Sequence, residues 1–241
     1  MKTKNPNVKI SLGNILLDLE SSNGPRCISG SGGLCKPVET GCGGYSHDWI
    51  HRDFRKPLIV MSPKNLLHHK DCKSNLSELD DEQGHPGFDK QGTRFKRLIK
   101  DQNNHSDLEE GIRRLILCSG KVYYELDEER KKVGRKDVTI CRVEQLCPFP
   151  YDLIQRELKR YPKAEIVWCQ EEPMNMGAYN YIAPRLCTAM KSLGRGNMDD
   201  IKYVGRAPSA STATGFYQVH VKEQSEIVQK ALQLDPINYP L

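Results

Sequence analysis

Two short stretches hold the side chains best suited to chemistry. Gln170-Glu171-Glu172-Pro173 follows the apolar run Ile166-Val167-Trp168-Cys169. In an open parallel sheet the carboxyl ends of strands border the ligand crevice, so adjacent acids there could bind a cation, do acid–base work or pair with arginines across an interface. A solvated loop of charges suits the same residues equally well. The second stretch, Arg206-Ala207-Pro208-Ser209-Ala210-Ser211-Thr212-Ala213-Thr214-Gly215, again follows an apolar run. A guanidinium followed by small hydroxyl residues can cradle an anion, but the residues alone slightly favour a plain Ser/Thr loop.

Other groupings carry less. Ser119-Gly120-Lys121 links a strand pattern to a helix pattern, but Leu115 stands where a phosphate-binding loop needs its first glycine. A tight strand-to-helix turn is the better reading, with a weak anion site at most. His51-Arg52-Asp53 lacks the Gly-rich loop and Asp-Phe-Gly that would make it a kinase catalytic loop. His68, His69 and His85 lack partners at metal-ligand spacing. The nine cysteines contain no C-x-x-C, which argues for unpaired thiols in a reducing compartment and against zinc or thioredoxin chemistry.

The elements that must position these residues show as alternating patterns. Continuous apolar runs at 115–118, 137–143, 165–169 and 201–204 read as strands buried on both faces. Helical patterns occupy 121–132, 152–161, 177–192 and 221–232. Strand and helix in alternation predict an α/β fold of three layers, a mostly parallel sheet flanked by helices. Upstream, Pro57–Met61 reads as a further short strand, Ser62-Pro63 as a helix cap and first helical residue, and residues 71–92 as a long polar loop. Three regions follow: a low-complexity Gly/Ser-rich segment at 1–50, expected to be poorly ordered; a lead-in of strand, helix and loop at 51–110; and the α/β domain at 111–241.

Net charge is +5, from 36 basic and 31 acidic residues mixed along the chain. That balance, with no RNA-binding aromatic motif or finger spacing, argues against a nucleic-acid partner. No apolar run approaches the roughly 20 residues of a membrane span. The first twenty residues carry lysines but no arginine, together with Asp18 and Glu20, which is a poor transit peptide.

Five stretches resemble one family when taken together and in order: HRDFRKPLIVMSPKNLL (51–67), GKVYYELDEER (120–130), RVEQLCPFPYDLI (142–154), VWCQEEPMNMGAY (167–179) and VGRAPSASTATG (204–215). They are similar to the carboxy-terminal end of the 2-oxoglutarate dehydrogenase first component of the plant type, over roughly three quarters of the chain. The resemblance implies a domain of the transketolase carboxy-terminal type. It also implies, for full-length members, thiamine diphosphate with magnesium, decarboxylation of 2-oxoglutarate in the tricarboxylic acid cycle and succinyl transfer to lipoyl groups. Such members form homodimers in a mitochondrial-matrix complex with dihydrolipoyl succinyltransferase. In some relatives this domain binds acetyl-CoA as an allosteric activator, and by resemblance Gln170 and Arg206 are candidates for an acyl-CoA or anion, with Glu171 and Glu172 as interface candidates.

The chain departs from the family in one respect that decides the expectation for catalysis. It has no Gly-Asp-Gly motif for the metal diphosphate, and the activating glutamate belongs to a preceding domain. Neither cofactor nor metal is therefore expected in this chain. A fragment inert by itself is expected, or else a non-catalytic interaction or regulatory module that packs on full-length subunits or binds acetyl-CoA.

Overall fold

A computed structural model describes residues 63–73, 96–101 and 111–237, together with the backbone of three short strands further upstream. The chain divides into two compact units, with the boundary between Lys96 and Arg97.

In the first unit, β1 (Leu16–Asp18), β2 (Arg26–Ile28) and β3 (Leu58–Val60) form an antiparallel sheet in the order β2-β1-β3. β3 falls inside the run expected as a strand at 57–61. A 3-10 turn, Lys64–His68, follows; Pro63 stands just outside it, and its carbonyl accepts from the amide of Leu66 at 3.0 Å. Proline is thus the residue before the helical turn and not its first member. The expected loop at 71–92 lies largely outside the described residues, as do His51-Arg52-Asp53 and His85.

The second unit is built on a five-stranded sheet of order β4-β6-β5-β7-β8. Its strands are β4 (Leu98–Ile99), β5 (Arg114–Cys118), β6 (Val138–Val143), β7 (Glu165–Pro173) and β8 (Ile201–Arg206). β5 to β8 are mutually parallel, and β4 adds antiparallel to the edge at β6. The helices are α1 (Val122–Val133), α2 (Tyr151–Arg160), α3 (Tyr179–Lys191) and α4 (Tyr217–Leu232). α1 packs with α4 on one face and α2 with α3 on the other. The three-layer α/β expectation therefore holds, and the physical reason is the one the sequence offered: every residue of β5 and of β6 is buried, so both faces need cover.

Two boundaries differ from expectation by a full turn or more of chain, and β8 runs on to Arg206, so that this arginine ends the strand and does not open the loop. β7 runs on through Gln170-Glu171-Glu172 to Pro173, which pairs with Arg206 across an irregularity in the ladder. The acidic motif is therefore part of the sheet's carboxyl edge instead of a loop beyond it. The amide that proline lacks is not missed, since Met174 donates to the carbonyl of Arg206 at 3.0 Å in its place. α4 begins a full turn earlier than Val221. Its first turn has no inward apolar face, so the pattern that marks a helix starts only further along.

Five of the six described cysteines are buried and the sixth, Cys147, is half-buried. Among the described residues no helix is long and apolar enough to cross a membrane.

Candidate functional site

Alternation along β7 sends neighbouring residues to opposite layers, and this separates the members of its motif. Gln170 points with Trp168 toward α3. Its side-chain oxygen accepts from Trp168 Nε1 at 2.9 Å and from the Tyr179 amide at 3.0 Å. Its nitrogen donates to the carbonyls of Glu172, Pro173 and Met176 at 3.2, 3.1 and 2.9 Å. Gln170 is buried and stitches the end of β7, the following turn and the start of α3 together. That turn needs Gly177, with φ of +65°, where a Cβ would lie 2.9 Å from Glu172 Cβ.

Glu171 points the other way, toward α1 and α4. Its Oε1 accepts from Gln224 Nε2 at 2.9 Å and lies 3.7 Å from Lys121 Nζ. Lys121 is bound more closely to Glu125, at 2.7 Å. Gln224 also donates to Glu125 at 2.7 Å and accepts from Arg206 Nη2 at 3.1 Å. Arg206 donates through Nε to Glu223 at 2.8 Å and through Nη1 to the Glu171 carbonyl, and its Nη2 lies 3.1 Å from His220 Nδ1. Thr214 completes the group with a 2.5 Å hydrogen bond to Glu223.

The electrostatics follow from burial and neighbours. Burial pushes the Glu171 carboxyl up, and although Lys121 opposes this, Glu125 and Glu172 add to it. For Lys121 burial pulls downward but loses to the hydrogen bond with Glu125 and the charge of Glu171, so its ammonium is held above the usual range. The Thr214 and Arg206 contacts hold Glu223 below the usual carboxylate range. Nearby Cys118 and Cys169 are pushed well up by burial, so neither is a ready thiolate nucleophile.

Sequence reasoning found Gln170, Glu171, Glu172 and Arg206. The structure brings Glu171 and Arg206 together and places Gln170 in the opposite layer. Glu172 lies half-buried, with its carbonyl accepting from Tyr203 Oη at 3.0 Å. Glu125, His220, Glu223 and Gln224 were missed. Lys121 had a visible signal, as the basic residue opening a helix after a strand, and was read as a weak anion site at most. The Ser/Thr loop is exposed, and its Ser209 amide and carbonyl are both engaged by the Asn175 side chain, at 3.0 and 2.8 Å. Beside it Phe216 and Tyr217 are each 79% exposed, followed by exposed Val219 and Val221. Among the described residues no group of three or more His, Cys, Asp or Glu is placed to hold a metal ion.

A parallel α/β unit with a charged carboxyl edge and an apolar apron on its last helix is the class these features define. Residues 88–232 match the family model described as 2-oxoglutarate dehydrogenase C-terminal, and the chain belongs to that family. It is 44% identical over 182 residues to the 2-oxoglutarate dehydrogenase-like, mitochondrial protein of Rattus norvegicus, covering 75% of this chain and 16% of the relative. It is 42% identical over 178 residues to the 2-oxoglutarate dehydrogenase, mitochondrial, of Caenorhabditis elegans, covering 73% and 16%. The 2-oxoglutarate dehydrogenase E1 component of Brucella abortus is 44% identical over 183 residues, covering 76% and 18%. The chain thus spans under a fifth of the length of these relatives, two of them named mitochondrial and one bacterial. A solved structure titled "Split gene transketolase, inactive beta4 tetramer" overlays at a TM-score of 0.37 with 15% identity, covering 62% of this chain and 44% of that one. A likeness that loose carries no argument.

Proposed function

We propose that this chain supplies the closing, non-catalytic domain of a 2-oxoglutarate-decarboxylating first component, of the transketolase carboxy-terminal type and centred on residues 111–241. It acts by docking on the remainder of such a subunit. One observation carries the reading: the charged groups at the carboxyl edge are engaged with one another, while the apolar residues beside them, Phe216, Tyr217, Val219 and Val221, are exposed. An apolar surface of this kind, rimmed by polar groups, favours a protein partner.

Full-length members of the family use thiamine diphosphate with magnesium. No chemical step is assigned to the described residues through that group. The proposed partners are full-length subunits, as a homodimer-like pairing, and through them the dihydrolipoyl succinyltransferase complex. The proposed location is the mitochondrial matrix.

A regulatory reading places acetyl-CoA at Gln170 and Arg206. Gln170 spends both amide atoms on five internal contacts and Arg206 is held by Glu223, Gln224 and the Glu171 carbonyl, so an acyl-CoA would have to displace existing bonds. Docking is the better supported of the two.

The test is co-purification of the 241-residue chain with full-length subunits, alongside a 2-oxoglutarate decarboxylation assay of the chain alone with thiamine diphosphate and magnesium. The expected results are saturable association, abolished by Phe216→Asp with Tyr217→Asp, and no turnover. Turnover by the chain alone, or a monomer that never associates, would sink the docking reading. Heat of binding with acetyl-CoA, lost in Arg206→Gln, would favour the regulatory one.

A further inference from the structure

The four helices of the second unit are not anchored alike. α1 buries Val122, Tyr123, Tyr124 and Leu126, α2 buries Leu153 and Ile154, and α3 buries Tyr179, Ile182 and Ala183. Each therefore meets the core through apolar side chains within its first two turns. α4 does not. Its first buried apolar residue is Ile227, followed by Val228, Ala231 and Leu232. Between Tyr217 and Glu226 only Gln224 is buried, and it is polar.

Polar contacts centred on two side chains seat this first half. Arg206, at the end of β8, reaches Glu223 at 2.8 Å, Gln224 at 3.1 Å and His220 at 3.1 Å. Gln224 donates to Glu125 of α1 at 2.7 Å and to Glu171 of β7 at 2.9 Å. Such bonds exchange for bonds to water at little net cost, whereas buried apolar area has no such substitute. A segment with few buried apolar contacts belongs to the low-stability end of a fold.

The segment also has little to keep it helical by itself. Residues 217–226 fall short of the length at which an isolated helix holds in water. Phe216 provides no side-chain cap, and the first turn has no acidic residue. β-Branched Val219 and Val221 lower the helix propensity further. Upstream, the loop at 207–213 is exposed, which gives the segment slack to unwind without moving β8.

We propose that residues 217–226 form a hinged arm, which unwinds and reseats while the rest of the unit stays folded. The hinge lies where apolar packing begins, between Glu226 and Ile227. The arm and the residue before it carry exposed Phe216, Tyr217, Val219 and Val221. For what closes the arm, the inference rests on the docking reading above. A partner that covers these side chains supplies the apolar burial that the arm lacks, so docking and helix formation become one event.

The test is native-state hydrogen exchange of the 241-residue chain, alone and with full-length subunits, corrected for intrinsic rates. In the chain alone, the amides of 221–226 should exchange at least about a hundredfold faster than those of Ala231 and Leu232. Gln224→Ala should widen the gap by speeding the arm only. Gln218→Glu gives the exposed first turn the acid it lacks and should slow the arm about threefold. With subunits bound, the arm should slow by roughly tenfold or more. Equal protection along α4, or Gln224→Ala speeding both halves alike, would overturn the arm, since the helix would then open as one piece. Association that leaves 221–226 as fast as before would overturn it too. A fast arm with no association at all would instead sink the docking reading and leave the arm in place.

Discussion

Glu171 carries a cost that its neighbours do not fully offset. It lies between β7, α1 and α4, touched by Gln224 and approached by Lys121, yet burial still leaves its pKa raised. A carboxyl whose folded pKa lies above its unfolded one stabilises the fold most below the ordinary carboxylate range. That contribution is lost as pH rises through the folded value. Glu171→Gln keeps the shape and the Gln224 contact while removing the titration. We expect the variant to gain stability relative to the parent between pH 4 and pH 8. Glu223 titrates in the opposite sense, since its folded pKa is lowered, but it does so in both proteins and drops out of the difference. Denaturant midpoints across that range provide the check, and parallel curves for the two proteins would refute the account.

At the level of the elements, strand and helix identities were legible because their apolar runs are long and buried on both sides. Their ends were not. Pro173 is a terminator when read locally, yet it extends β7 because Arg206 lies opposite to pair with it; a partner more than thirty residues away decides the point. The same pairing explains Gly205. Tyr203 and Gly205 share a face of β8, and the tyrosine ring crosses the glycine to place its hydroxyl on the carbonyls of Glu172 and Arg206, at 3.0 and 2.9 Å. A Cβ at Gly205 would lie 2.2 Å from Tyr203 Oη and 2.9 Å from the Gln170 carbonyl. Glycine is kept here by close approach, and no amphipathic pattern announces it. Gly205→Ala should cost about 1–3 kcal/mol through overpacking. Tyr203→Phe, which shortens the clashing side chain, should recover part of that loss in the double variant. Additive losses in a thermal or urea double-mutant cycle would show that the two residues do not meet.

Across the whole second unit, the residues hardest to read were those whose role depends on the chain closing upon itself. Lys121, Glu171 and Gln224 meet although each comes from a different element, and no spacing rule relates them. Arg114 is the clearest case. It opens β5 as an arginine at the head of an apolar run, where a solvated side chain is the natural expectation, yet it is 4% exposed. It donates to Glu165 at 2.7 Å and to the carbonyls of Ala231, Gln233 and Asp235 at 2.9, 2.7 and 2.8 Å. A single guanidinium thereby joins the first parallel strand of the unit to the end of its last helix and supplies donors that the helix terminus lacks. Arg114→Met fills much of the same space but strands a carboxylate and three carbonyls, which should cost about 3–5 kcal/mol, the range for breaking a buried charged pair. Relief is expected from adding Glu165→Gln, because the uncompensated charge is then gone while the carbonyls still lack their donor. If Arg114→Met unfolded at the parent's denaturant concentration, closure of the unit would have to rest on the α1–α4 packing alone.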